Sequence, residues 1–252
     1  MSRGPAPGGD RAFYEQKADL YREAENEVVL RHVLACLPPE GRVLDLGCGS
    51  GALLGRLAGR AGYRVGVELS PAAARAAAEV ADEVLNRPVT DDLPLTPGSF
   101  DVVVCADILE HVFEPAAVLS TAAHLCRPGG AVVVSVPNVA FWQARLRLLL
   151  GVWRYEPSGL FDSGHVRFLT RETLLAMVAE CGLSAGRVEP GRLPDLAPHV
   201  LARLPRSLRG AAGRAWAGVG NRLARMRPTL CAYQLVCTSR RPLTDAGVTG
   251  GP

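Results

Sequence analysis

Three stretches of this sequence gather residue types that do chemistry. In Val43-Leu44-Asp45-Leu46-Gly47-Cys48-Gly49-Ser50-Gly51 an apolar run ends in three alternating glycines, which let a backbone turn tightly and approach a ligand closely. Seventeen residues beyond Gly51, closing the next apolar run, stands Glu68; a carboxylate there accepts both hydroxyls of a ribose. Asp107-Ile108-Leu109-Glu110-His111 groups two acids with an imidazole, which suits proton transfer or metal ligation. Asp162-Ser163-Gly164-His165-Val166-Arg167-Phe168-Leu169-Thr170 offers a second imidazole, a group that titrates near neutral pH.

The glycine turn and Glu68 together indicate a nucleoside bound at the carboxyl ends of parallel strands. A dinucleotide fingerprint, G-x-G-x-x-G, holds a pyrophosphate on a helix N-terminus. Here the spacing is G-x-G-x-G, with Ala52 at the third dehydrogenase position, and Asp45 stands two residues before Gly47. An anion there repels a pyrophosphate but suits a ligand with an ammonium and a sulfonium, such as S-adenosylmethionine. The competing reading leaves Asp45 capping the turn and the glycines packing the helix.

The elements that must position these residues follow from periodicity. Residues 1–10 are rich in Gly and Pro and read as a disordered tail, as do 241–252. Apolar spacing from Ala12 to Leu37 predicts a helix that Pro38-Pro39 ends. Strands are predicted at Arg42–Leu46, Tyr63–Leu69, Glu83–Leu85, Phe100–Ala106 and Ala131–Val136, alternating with helices at 51–59, 71–81 and from strand four through Cys126. Pro128-Gly129-Gly130 reads as a turn. A helix over 170–181 follows, capped by Thr170 and stopped by Gly182, and then two last strands at Ser184–Val188 and Leu230–Thr238. Short β-branched runs between helices mean a parallel sheet covered on both faces, an α/β fold within one domain spanning 11–240.

Composition narrows the function classes. The chain has 252 residues, 48% apolar and 21% charged, which supports a packed core and excludes bulk disorder. Seven cysteines without C-x2-C spacing speak against zinc ribbons and a disulfide framework, so a reducing cytoplasm is expected. No apolar run is long enough to span a bilayer, and MSRGPAPGGD lacks the apolar core of a signal peptide. Segment 186–228 carries nine arginines against Glu189 and Asp195 and reads as a basic helical insertion.

VLDLGCGSG resembles the first motif of class I S-adenosylmethionine-dependent methyltransferases, and GVELS, LPLTPGSFDVVVCADILEHV and LCRPGGAVVVSVPN follow in that family's order, over roughly Arg42 to Leu183. The resemblance implies a Rossmann-like seven-stranded sheet of order 3-2-1-4-5-7-6 with the last strand antiparallel. It implies cofactor contacts from Tyr14, Asp45, Gly47, Cys48, Gly49, Gly51, Glu68, Leu69, Ala106 and His111. Relatives often carry an acid near residues 87–88 for the adenine amine; Arg87-Pro88 stand here, so Val89 and Asp91 are the adenine candidates. ADILEHV is similar to the ubiquinone-biosynthesis O-methyltransferase branch, where in some members the acidic and histidine positions bind a divalent ion; Asp107, Glu110 and His111 would be the ligands. The competing view is a helix start whose acids favour the N-terminal dipole, and we expect a metal-free site. VPNVAFWQARLRLLLG is similar to methionine-biosynthesis W-type proteins, which partner an acyltransferase.

Methyl transfer to oxygen needs alignment, exclusion of water and a base. His165 is the expected base, with Asp107 the second catalytic residue; the alternative for His165 is fixing its own loop. The expectation is therefore an S-adenosylmethionine-dependent methyltransferase acting on a small-molecule hydroxyl, with transfer to nitrogen or carbon, or a cofactor-binding partner of an acyltransferase, as the alternatives. Residues 138–155 read as a lid helix packed on the sheet; the other reading makes 139–155, with 186–228, an interfacial surface for a membrane or lipid-borne substrate. No aromatic stacking platform accompanies the arginines, so no nucleic-acid partner is expected.

Overall fold

The computed structural model describes residues 27–184, 186–191, 218–220 and 222–243. Tyr14, the tail 1–10, and most of 186–228 and 241–252 lie outside the described residues. Helix α1 (Glu27–Cys36) leads into β1 (Arg42–Leu46), α2 (Ala52–Arg56), β2 (Tyr63–Val67), α3 (Pro71–Ala77), β3 (Glu83–Leu85) and β4 (Phe100–Ala106). A 3-10 turn at Leu109–His111 precedes α4 (Pro115–Leu125), β5 (Cys126–Pro137), α5 (Trp142–Leu149), α6 (Arg171–Glu180), β6 (Arg187–Pro190), α7 (Pro228–Cys231) and β7 (Gln234–Arg240).

The seven strands form one sheet of order β3-β2-β1-β4-β5-β7-β6. The first five pair in parallel, while β7 runs antiparallel to both β5 and β6. Alternation along each strand sends side chains to two cores. Leu44, Leu46, Val103 and Cys105 pack with Val118 and Leu119 of α4 and Leu174 and Val178 of α6. Val43, Val102 and Val104 pack on the other face with Val29, Leu30 and Val33 of α1. Both faces are thus buried, as near-continuous apolar strands require.

Several predicted boundaries move. Helix α2 ends at Arg56 rather than Gly59, because Gly59 adopts φ 70°. Helix α3 stops at Ala77 rather than Ala81 and keeps Ser70 as its side-chain cap with Pro71 first. The helix expected straight after β4 is split: Pro115 opens a new helix, since proline suits a first position and disfavours an interior one. Strand β5 starts at Cys126, not Ala131; Pro128-Gly129-Gly130 lies inside it as an irregular stretch, with a register shift between Phe100 and Val102 of β4 and Gly129 donating to the Arg241 carbonyl at 2.9 Å. Arg241, assigned to the tail by sequence, also donates to the carbonyls of Ala123, His124 and Cys126. Strand β6 runs over 187–190 instead of 184–188. Strand β7 begins at Gln234 because Pro228 starts a short helix where the strand was expected. Thr170 caps α6 with a reciprocal bond from Thr173.

Candidate active site

The glycine turn sits at the carboxyl end of β1. Gly47, Gly49 and Gly51 have φ of 80°, 54° and 79°, which only glycine adopts without strain. The N–H groups of Gly47 and Cys48 both donate to the Val67 carbonyl of β2, at 2.8 and 3.1 Å, and draw the loop over the end of that strand. Cys48 is buried and fills the space beside Gly66; a Cβ on Gly66 would lie 2.6 Å from Cys48 Sγ, so the loop demands glycine in the strand beneath it.

Glu68, the expected ribose-binding acid, is engaged with the backbone on both sides. Oε2 accepts from the Gly49 N–H at 2.9 Å and Oε1 from the Ser70 N–H at 2.7 Å. One carboxylate ties the glycine turn to the start of α3, and carboxylate oxygens hold further lone pairs for hydroxyl donors. Burial raises its pKa, opposed by those backbone donors. Asp45, paired with Gly66 in register, is 3% exposed and its Oδ1 has no hydrogen-bond partner. Burial, with a further contribution from the Glu68 charge, pushes its carboxyl up to about 7. A buried carboxyl in that condition is costly alone and is stabilised as an anion by a cation. Leu69 is fixed through Asn86, whose Nδ2 donates to the Glu68 and Leu69 carbonyls at 2.8 and 3.1 Å. Of the adenine candidates, Val89 is partly buried against the core and Asp91 is exposed.

At the carboxyl ends of β4, β5 and β7 a second group assembles. Ala106 ends β4, and Asp107 follows with φ 51°. That left-handed backbone costs a non-glycine residue energy and needs support. The Asp107 carboxylate accepts from Gln234 Nε2 at 2.7 and 2.8 Å and from Ser135 Oγ at 2.9 Å, and its N–H donates to the Ser135 carbonyl at 3.0 Å. Gln234 was not singled out from sequence; the available signal was a polar residue opening the otherwise apolar run QLVC.

His165 arrives from a loop built by Asp162, whose Oδ1 accepts the Gly164 N–H at 2.7 Å. Leu160 is held by Tyr233, whose hydroxyl accepts its N–H at 2.7 Å, and the Val166 and Arg167 N–H groups donate to the Glu110 carbonyl at 2.8 and 3.1 Å. These bonds bring His165 against His111, ring centroids 4.8 Å apart. His165 Nδ1 lies 3.1 Å from the Leu160 carbonyl and His111 Nδ1 3.1 Å from the Gly164 carbonyl. A carbonyl only accepts, so each Nδ1 is the donor in its bond. Glu110 completes the group: it is 3% exposed, its Oε2 has no hydrogen-bond partner, and burial, with the Asp107 charge next, raises its pKa well above the carboxylate range. Ligand-type atoms of Glu110, His111 and His165 lie within 4.8 Å of one another.

The structure thus joins His165 to His111, which sequence placed on the cofactor, and to Glu110. The set Asp107, Glu110 and His111 is not what converges, because Asp107 is held by Gln234 and Ser135. Among the described residues, the donors that fit a divalent ion are Glu110, His111 and His165, an N2O set with backbone carbonyls fixing both imidazoles. The expected packed lid is also corrected. In α5 only Ala144 is buried, and Leu146, Leu149 and Leu150 are exposed.

A family model described as a methyltransferase domain matches residues 19–185. The chain is 34% identical over 151 residues to the ubiquinone biosynthesis O-methyltransferase of Aeromonas salmonicida (strain A449), covering 56% of this chain and 62% of the relative. It is 36% identical over 122 residues to the protein of that name from Xanthomonas axonopodis pv. citri (strain 306), covering 46% of this chain and 51% of the relative. The chain therefore spans between about half and three fifths of the curated relatives it matches. A chain from the complex between the Haloferax volcanii Trm112 methyltransferase activator and a methyltransferase has the same fold, with TM-score 0.61 and 20% identity over 92% of this chain and 97% of that one.

Proposed function

The chain belongs to the class I S-adenosylmethionine-dependent methyltransferases, and we propose that it transfers a methyl group from S-adenosylmethionine to a hydroxyl oxygen of a small molecule. The observation that carries the cofactor is Asp45: a buried carboxyl with an unpartnered oxygen, beside a glycine turn that Glu68 holds. A nucleoside bearing positive charge satisfies both acids, whereas a pyrophosphate satisfies neither. Calorimetry tests this directly: S-adenosylmethionine and S-adenosylhomocysteine bind, and nicotinamide dinucleotides do not. Binding of the dinucleotides alone would refute it.

When bound, S-adenosylmethionine supplies a methyl group already activated by its positive sulfur. What remains for the protein is alignment, exclusion of water and removal of the acceptor's proton. We assign the proton to His165 Nε2, with the Leu160 carbonyl holding Nδ1–H and so fixing the ring. Glu110, with a ligand-type oxygen within 4.8 Å, shares this buried group with the ring. Asp107 acts as a positioning residue, its carboxylate joining the ends of β4, β5 and β7. The hydroxyl acceptor agrees with relatives named as O-methyltransferases.

A second reading is favoured by the convergence of Glu110, His111 and His165: these three hold a divalent ion, which would orient the acceptor. Chelation separates the two. Turnover that survives chelator supports His165 as base, and loss of turnover restored by zinc or magnesium supports the ion. Recovery of a stoichiometric acyltransferase with no acceptor methylated would favour a partner protein instead.

A further inference from the structure

We propose that Asn86 is a positioning residue for the cofactor: it fixes the Glu68 carboxylate by gripping the same two peptide units that donate to that carboxylate. The inference deepens the reading above and rests on its placement of Glu68 at the ribose.

Asn86 directly follows β3, one residue beyond Leu85, which closes the β2–β3 pairing opposite Val67. Its Nδ2 donates to the Glu68 carbonyl at 2.8 Å and to the Leu69 carbonyl at 3.1 Å. Carbonyls only accept, so the side-chain amide faces them with its nitrogen.

Those two peptide units are also held from their other side. The Glu68 carbonyl shares a peptide with the Leu69 N–H, and the Leu69 carbonyl shares one with the Ser70 N–H. In a planar trans peptide the C=O and the N–H point in opposite directions. The Ser70 N–H donates to Glu68 Oε1 at 2.7 Å, and the Leu69 N–H donates to the same carboxylate. Two flat units therefore stand between Asn86 and the carboxylate, with their oxygens toward Asn86 and their hydrogens toward Glu68. Turning either plane disturbs a bond on each side at once. Donation to a carbonyl also polarises the N–H across the peptide, so the bonds strengthen one another.

The carboxylate needs this hold. Glu68 is half-buried, and a carboxylate taken from water is costly unless donors surround it. The Gly49 N–H fixes Oε2 at 2.9 Å from the glycine turn. The donors of residues 69 and 70 fix the carboxylate from the opposite side, which orients the lone pairs left for two ribose hydroxyls. Strand pairing does not require Asn86: the Glu68 N–H already donates to the Leu85 carbonyl at 3.0 Å. What Asn86 adds is control of the two carbonyls that lie beyond the end of the pairing.

Calorimetry with two ligands tests this: S-adenosylhomocysteine and its analogue lacking the 2′-hydroxyl. Wild type is expected to prefer the ribose ligand by at least ~10-fold. Asn86→Leu should weaken S-adenosylhomocysteine binding by about 5–10-fold, and so should Asn86→Asp, which keeps the shape but offers no donor when ionised. The analogue should lose less, so the preference for ribose shrinks. Melting should move little, because Asn86 is exposed. In a Glu68→Gln background, Asn86→Leu should cost little further affinity, since its effect passes through Glu68. Wild-type affinity in Asn86→Leu overturns the proposal. Equal weakening of both ligands, or an undiminished loss in the Glu68→Gln background, also overturns it and leaves Asn86 a tie of the fold alone. Wild-type affinity in Glu68→Gln is a different failure: it refutes the ribose placement of Glu68, and this inference with it.

Discussion

Replacing Asp45 with asparagine should make the ligand-free protein more stable above neutral pH while weakening its cofactor site. Burial, then the Glu68 charge, raises the Asp45 carboxyl to about 7 from its ordinary 3.8. Between those values the folded protein holds a proton that the unfolded chain has released. Stability therefore falls as pH rises through this window and levels off above about 7. At about 1.4 kcal/mol per pH unit, the full shift is worth about 4 kcal/mol, of which about 2 kcal/mol is already lost by about pH 5 and about 2 kcal/mol more by about pH 7. Asp45→Asn resembles the protonated acid and does not titrate. Urea denaturation of both proteins at about pH 5 and pH 8 isolates the effect, because other titrating groups largely cancel in the difference. The variant, which resembles the fully protonated acid, should exceed wild type by about 2 kcal/mol at the lower pH and by about 4 kcal/mol at the higher one. Its affinity for S-adenosylmethionine should be low and flat with pH. That of wild type should rise toward pH 7, as the ionised carboxylate becomes available to the cation. A variant no more stable than wild type at pH 8, or one that binds the cofactor normally, would refute this account of the buried acid.

Three further outcomes follow from the same geometry. Glu68→Gln should lower S-adenosylmethionine affinity by about 1.5–3 kcal/mol, because charge-assisted bonds are lost and the Gly49 N–H is held less firmly; unchanged affinity by calorimetry contradicts its placement. His165→Ala should reduce turnover by roughly 10²–10⁴ with cofactor affinity unchanged, whereas near-normal turnover on the true acceptor would exclude the base role and point to a nucleophile that needs none. Gly66→Ala should cost about 1–3 kcal/mol, since its Cβ meets Cys48 Sγ at 2.6 Å, and Cys48→Ala in the same chain should recover part of that loss in a double-mutant cycle.

The sheet and the glycine turn were legible because their causes are local. Alternating glycines after an apolar run, Ser70-Pro71 before α3 and Thr170 before α6 each specify a turn or cap through atoms a few residues apart, and the motif order carried the strand order with it. Asp45 and Glu68 stand out as acids flanking that turn for the same reason, whereas the tie from Glu68 to Gly49 does not. What only the tertiary structure decided lies between distant segments. Gln234 reaches Asp107 across 127 positions, and His111 meets the Gly164 carbonyl across 53. No periodicity encodes such pairs, because hydrogen bonds between loops depend on where the sheet delivers its strand ends. Residues 142–149 show the same limit from the opposite side. Their apolar spacing predicts a helix, and a helix forms, but periodicity does not say whether another part of the chain covers it. In this fold Phe141, Ala144, Leu160 and Phe161 pack together at the base, and Leu149 and Leu150 stay exposed.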